Sequence, residues 1–150
     1  MGIFQSINTS ASALTAQRLR MDTISSNMAN AETTRGSYVD GKWEPYKRKS
    51  VVFQEKNDQF SSFLNLAMNK SSNVGEGLQV TRIIEDDTPS QLVYEPNHPD
   101  ANDDGYVEKP NVDPLRETVD LMSATRSYEA NVTVLNASKG MLLKALEIGK

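Results

Sequence analysis

The chain has 150 residues, a net formal charge of −4 and no cysteine, and apolar residues make up 37% of it. The acidic balance excludes nucleic acid as the main partner, because phosphate neutralisation needs a basic face. The missing cysteines exclude a disulfide framework, a thiolate nucleophile and a soft metal site. The apolar residues gather near the two ends and leave a middle rich in Ser, Asn, Asp, Gly and Pro, a distribution that predicts an elongated protein.

From about Ser6 to Asn30, apolar residues recur at helical spacing. Ile7, Leu14, Met21 and Met28 are seven apart, with Ile3 and Ile24 flanking the same stripe. The other faces of this amphipathic helix carry small or polar residues (Ser12, Ala13, Ala16, Gln17, Arg20), so a neighbouring backbone can approach closely. Nothing at the N-terminus combines a basic segment with a continuous apolar run, so no cleaved signal peptide is expected. No stretch reaches the roughly 20 apolar residues of a spanning helix, so no membrane insertion is expected either.

Three short runs in the middle read as strands: Tyr46 to Gln54, Leu78 to Ile84 and Gln91 to Tyr94. Each is enriched in β-branched or aromatic residues and bounded by turn residues, which predicts a small sheet. Lys47-Arg48-Lys49 reads as solvated charge on a strand edge. The stretch from Phe63 to Met68 reads as a short helix or loop tip, and "SSNVGEG" after it as linker.

A second helix starts clearly, with Asp113 as N-cap and Pro114 at the first helical position, where a missing N–H costs nothing. It is expected to run to about Ile148. Leu121, Tyr128, Leu135 and Leu142 repeat every seven residues, and Val132 and Leu146 fill alternate positions of the same seam. A second row, Val119, Ala130, Val134, Ala137, Met141 and Ile148, lies on roughly the opposite side at about 100° per residue. One helical partner covers one of these faces. The second leaves several large apolar side chains in water at about 1.5–3 kcal/mol each, which is a drive to associate.

"DANDDG" (100–105) matches the first half of a calcium-loop spacing, with Asp100, Asn102 and Asp104 before Gly105. The twelfth position, where such a loop needs a bidentate Glu, holds Asn111. Turn chemistry at Asp104-Gly105 is therefore the better reading, with a calcium-responsive binding module as the alternative. His98, the single histidine, lies in a polar loop with no nucleophilic context. No glycine-rich phosphate loop follows a strand. No catalytic residue, metal site or cofactor is read, and the chain is expected not to be an enzyme.

"SALTAQRLRMDTISSNMANAETT" (12–34) resembles the N-terminal signature of bacterial flagellar rod and hook proteins, in which Asn-apolar-Ala-Asn closes the first helix; here that is Asn27, Met28, Ala29 and Asn30. "PYKRKSVVFQ" (45–54), "LVYEPNHPDA" (92–101), "GYVEKPNVD" (105–113) and the segment from Met122 to Gly149 are similar to the proximal-rod type, with the distal-rod and hook types as alternatives. Residues 57 to 77 fall outside the resemblance. It implies an axial subunit exported unfolded through the flagellar type III apparatus, located in the basal body within the cell envelope. Its implied neighbours are other rod subunits, itself, and the MS-ring or export-gate adaptor at the rod base. The expected fold is α+β: residues 1–30 and 114–150 form a coiled-coil assembly domain, and 31–113 a small β-containing outer domain with flexible loops. The expected assembly interface comprises Ile7, Leu14, Met21, Ile24, Met28, Leu121, Tyr128, Val132, Leu135, Leu142 and Leu146, with Val134 and Met141 on the second row.

Overall fold

A computed structural model describes residues 3–56, 67–68 and 77–148. Helix α1 spans Ile3–Ala29 and helix α2 spans Pro114–Ile148. Among the described residues between them lie six strands: β1 (Ser37–Val39), β2 (Lys42–Glu44), β3 (Lys49–Glu55), β4 (Leu78–Glu85), β5 (Gln91–Tyr94) and β6 (Tyr106–Lys109). The fold is α+β, as expected. No described helix is long and apolar enough to cross a membrane. The expected helix or loop tip at 63–68 lies outside the described residues save Ala67 and Met68, as does the 71–77 linker save Gly77.

The strands form three separate two-stranded ladders, β1-β2, β3-β4 and β5-β6, rather than one small sheet. One reason is visible at Lys49, the first residue of β3. Its main chain bonds to a side chain, Asn27, through both N–H and C=O, so no further strand can pair there. The β1-β2 hairpin, absent from the sequence expectation, turns on Asp40 and Gly41, with φ of 49° and 83°. Positive φ at both central residues is the type I′ geometry that suits strand twist, and Asp-Gly is its usual sequence. Tyr38 faces Trp43 across this hairpin, ring centroids 5.1 Å apart.

The chain divides into two compact units. The first comprises 1–19, 52–82 and 124–150, the second 20–51 and 83–123. Among the described residues of the first, those buried deepest are all small: Ser10, Ala16, Ala124 and Ser138. Small residues permit close approach, as expected for α1. Leu78 N–H donates to Ser12 Oγ at 3.0 Å, and a Cβ on Gly77 would stand 2.6 Å from that same oxygen. Gly77 also has φ of 105°, which only glycine adopts cheaply. In the second unit, Ile24, Val107 and Val112 are buried beside the polar residues Thr23, Asn27 and Glu117. Here the pairs Arg20–Asp120 and Asn27–Glu117 advance in opposite directions along the two helices, so α1 and α2 are antiparallel.

Candidate assembly surface and a buried clasp

The start of α2 is built as the sequence predicts. Asp113 Oδ1 accepts from Leu115 N at 2.9 Å and from Arg116 N at 3.4 Å, satisfying main-chain donors of the first turn. One turn in, Glu117 is fully buried. A buried carboxylate is costly unless it is paired and hydrogen-bonded. Arg48 Nε meets Glu117 Oε1 at 2.6 Å, and Asn27 Nδ2 donates to Glu117 Oε2 at 3.0 Å. Arg48 also reaches Asp120 at 3.7 Å, and Arg20 approaches Asp120 at 3.5 Å from the other side.

This corrects the reading of Lys47-Arg48-Lys49 as solvated edge charge. Lys47 is exposed and pairs with Glu44, which raises its pKa through a side-chain hydrogen bond. Arg48 instead precedes the strand, and its side chain is only 19% exposed. An adjacent buried carboxylate outweighs hydration of the guanidinium, which is weakly hydrated and suited to such pairing.

Asn27 and Asn30, from the Asn-Met-Ala-Asn motif, have distinct jobs. Asn27 uses every hydrogen-bonding position of its amide. Its Oδ1 accepts from Lys49 N at 2.9 Å and the Tyr46 hydroxyl at 3.0 Å, while Nδ2 donates to Lys49 O at 2.8 Å and to Glu117. Asn30 closes the helix, its Nδ2 donating to Ser26 O at 2.8 Å and its Oδ1 accepting from Thr33 Oγ1 at 3.2 Å. Ala29 is exposed.

The half-motif at 100–105 folds as a turn. Gly105 has φ of 81° and its N–H donates to Asn102 O at 2.9 Å, while Asn102 Oδ1 accepts from Tyr106 N at 2.8 Å. Asp100 binds Arg35 through one oxygen and the Thr34 hydroxyl through the other, at 2.7 Å. These contacts hold its carboxyl below the usual range, the Arg35 hydrogen bond most of all. Asn111, at the twelfth position, accepts from Arg48 N at 3.3 Å and donates to Thr88 O at 3.2 Å. His98 Nδ1 accepts from Asp100 N at 3.1 Å. Of the candidate calcium ligands, Asn102 thus serves the loop itself and Asp100 is taken up by Arg35 and Thr34.

The expected interface residues separate by burial. Ile24 is buried, and Ile7, Leu14, Met21, Leu121, Tyr128, Val132, Leu135 and Leu142 are partly buried. Two seam residues are not: Met28 is 37% and Leu146 is 69% exposed. Met28 belongs to the last turn of α1, where the chain leaves the helix, and Leu146 to the last turn of α2, where the described chain offers it no cover. Val119, Val134, Met141 and Ile148, all in the second row, are exposed by 49% or more, together with Leu115 and Met122 on the same helix.

Comparison with known proteins gives two family matches. Residues 7–35 match the family described as Flagella basal body rod protein, and residues 103–148 the family described as Flagellar basal body rod FlgEFG protein C-terminal. Over its full length the chain is 63% identical to the flagellar basal-body rod protein FlgC of Bacillus subtilis, covering 100% of both chains. It is 43% identical to the FlgC protein of Borreliella burgdorferi, covering 99% of this chain and 98% of that one. It is 41% identical to that of Salmonella typhimurium, with 100% of each chain covered.

Proposed function

Since the chain belongs to the FlgC family of flagellar basal-body rod proteins, we propose that it is a structural subunit of the bacterial flagellar rod, assembling through the uncovered row of α2. The observation that carries this reading is the exposure of Val119, Val134, Met141 and Ile148 along one helix. A monomer leaves that surface in water, whereas burying it between subunits recovers about 1.5–3 kcal/mol for each large side chain.

In this reading the terminal helices, 1–30 and 114–150, are the assembly domain and 31–113 faces outward. The helices gain order on joining the rod, as segments do when association completes their core. The partly buried seam on α1 and α2 holds the subunit together, and the second row meets neighbours. Those neighbours are other rod subunits, and at the base of the rod the membrane-ring or export-gate adaptor. The subunit reaches the basal body through the flagellar export apparatus and acts by polymerising, without catalysis.

Charged substitutions test it. Val134→Glu and Met141→Glu, both at exposed positions, are expected to leave the isolated chain as stable as before and to abolish its incorporation into purified basal bodies, and motility with it. Leu135→Glu, at a partly buried position, is expected to destabilise the isolated chain as well. Normal motility in the Val134→Glu, Met141→Glu double variant would overturn the reading.

A further inference from the structure

The chain contains two Asp-Gly pairs, Asp40-Gly41 and Asp104-Gly105. Glycine has no Cβ to shield its own amide nitrogen, so an aspartate carboxyl on the preceding residue can be attacked by that nitrogen. Both aspartates are exposed, and both glycines have positive φ, 83° and 81°. Sequence and turn conformation do not separate the two pairs. Their surroundings do.

At Gly105 the nitrogen is committed, its N–H donating to Asn102 O at 2.9 Å. The next N–H, that of Tyr106, is held by Asn102 Oδ1 at 2.8 Å. A Cβ on Gly105 would stand 3.0 Å from the Tyr94 ring and 3.3 Å from Pro96 Cβ, so the main chain there has little room to rotate. Gly41 is the opposite case. The ladder closes at Val39 and Lys42 and leaves the two turn residues outside it. Among the described residues no backbone acceptor takes the Gly41 N–H, and a Cβ on Gly41 would meet no atom within 4 Å. Asp40 is also the one non-glycine described residue with positive φ, a conformation that L side chains adopt at a cost.

We propose that Asp40 is a site of spontaneous isomerisation to isoaspartate, and that the folded chain protects Asp104 from the same reaction. Gly41 N attacks Cγ of the protonated Asp40 carboxyl group. The N–Cγ bond forms, the Cγ–OH bond breaks, and the hydroxyl leaves with the amide proton as water, closing a five-membered imide. Water then opens the ring. Addition at Cγ restores aspartate, whereas addition at the main-chain carbonyl leaves the chain running through Cβ and Cγ. One water is lost and one regained, so the mass is unchanged and no oxidant or reductant is needed. The product carries one more main-chain atom between Val39 and Lys42, which a two-residue type I′ turn cannot hold in register. Tyr38 and Trp43, now 5.1 Å apart across the hairpin, then separate. Trp43 is the only tryptophan in the chain, so its emission reports the change.

The test holds the full folded chain at neutral pH for several weeks and samples it at intervals. Peptides containing residues 40 and 104 are resolved by chromatography, and electron-transfer dissociation identifies the isoaspartate. The expected result is formation at 40 about tenfold faster than at 104, the rate factor matching one committed N–H hydrogen bond, with a change in tryptophan emission that follows the product at 40. In guanidinium chloride, where neither turn persists, the two sites are expected to react at similar rates. Asp40→Glu, whose ring would need a sixth member, is expected to lose both the product and the emission change. Equal rates at the two sites of the folded chain, faster reaction at 104, or no isoaspartate at 40 would overturn the proposal, as would an emission change that persists in Asp40→Glu.

Discussion

Asn27 holds the main chain of Lys49 on both of its polar groups, its Oδ1 accepting the N–H at 2.9 Å and its Nδ2 donating to the C=O at 2.8 Å. One side-chain amide thus does the work of a neighbouring strand, because it presents a donor and an acceptor in the spacing of a peptide group. The same amide reaches Glu117, so the end of α1, the start of β3 and the first turns of α2 meet at one buried residue. Asn27→Ala leaves Lys49 N–H and part of Glu117 unsatisfied and is expected to cost about 2–4 kcal/mol, read by urea unfolding followed by circular dichroism. Asn27→Asp keeps the acceptors but sets a second carboxylate against Glu117, and is expected to be at least as damaging.

The Arg48–Glu117 pair is expected to show strong coupling. Arg48→Ala leaves the buried Glu117 charge uncompensated, at about 3–5 kcal/mol, whereas Glu117→Ala is expected to cost less because Arg48 keeps Asp120 at 3.7 Å. Arg48→Met with Glu117→Leu removes both charges while keeping volume, and is expected to cost much less than the two single losses combined. A double-mutant cycle by chemical denaturation measures this, and additive losses would contradict it.

Three glycines are expected to respond differently to alanine. At Gly36 a Cβ would meet Tyr46 N at 2.6 Å and Tyr46 Cα at 2.7 Å, backbone atoms that cannot swing away, so Gly36→Ala is expected to destabilise by about 1–3 kcal/mol. Gly41→Ala meets no atom within 4 Å but must adopt φ of 83° in the hairpin turn, at about 1 kcal/mol. Gly140 lies within α2 with open space around it, so Gly140→Ala is expected to stabilise the isolated chain by about 0.5–1 kcal/mol. If that variant is more stable yet less motile, a neighbouring subunit approaches the helix there.

Acid is expected to loosen the second unit through carboxylates whose pKa is lowered, Asp100 and Glu95 among them. Arg35 and Thr34 lower the pKa of Asp100 below 3.8, and Lys109 lowers that of Glu95 below 4.5. A depressed folded-state value contributes stability above the unfolded pKa and loses it as pH falls through the folded one. The loss therefore begins below about pH 4.5 and continues beneath 3.8. Unfolding measured between pH 6 and pH 2 is expected to have a shallower acid dependence in Arg35→Ala than in the unaltered chain.

Much of the architecture could be read in the residues themselves. The seven-residue spacing from Ile7 to Met28 and from Leu121 to Leu142 marks both helices, and Asp113-Pro114 marks where the second begins, because these signals act over one or two turns. The strands at 78–85 and 91–94 are legible for the same reason. The hairpin at 37–44 carried a local signal as well: Asp40-Gly41 between Tyr38 and Trp43 is a strong turn pattern, and reading only longer apolar runs passes over it.

The residues by themselves determine two long helices, a polar middle and more apolar surface on α2 than one partner helix covers. They do so because periodicity and capping are properties of neighbours in the chain. Only the tertiary structure decides that Arg48 is the counter-ion of a buried carboxylate, that Asn27 stands in for a strand, and that Met28 is exposed while Ile24 is enclosed. Those facts depend on residues 22 to 90 positions apart coming together, and the penalty for burying a polar group is set by the partner that arrives, which no local pattern encodes.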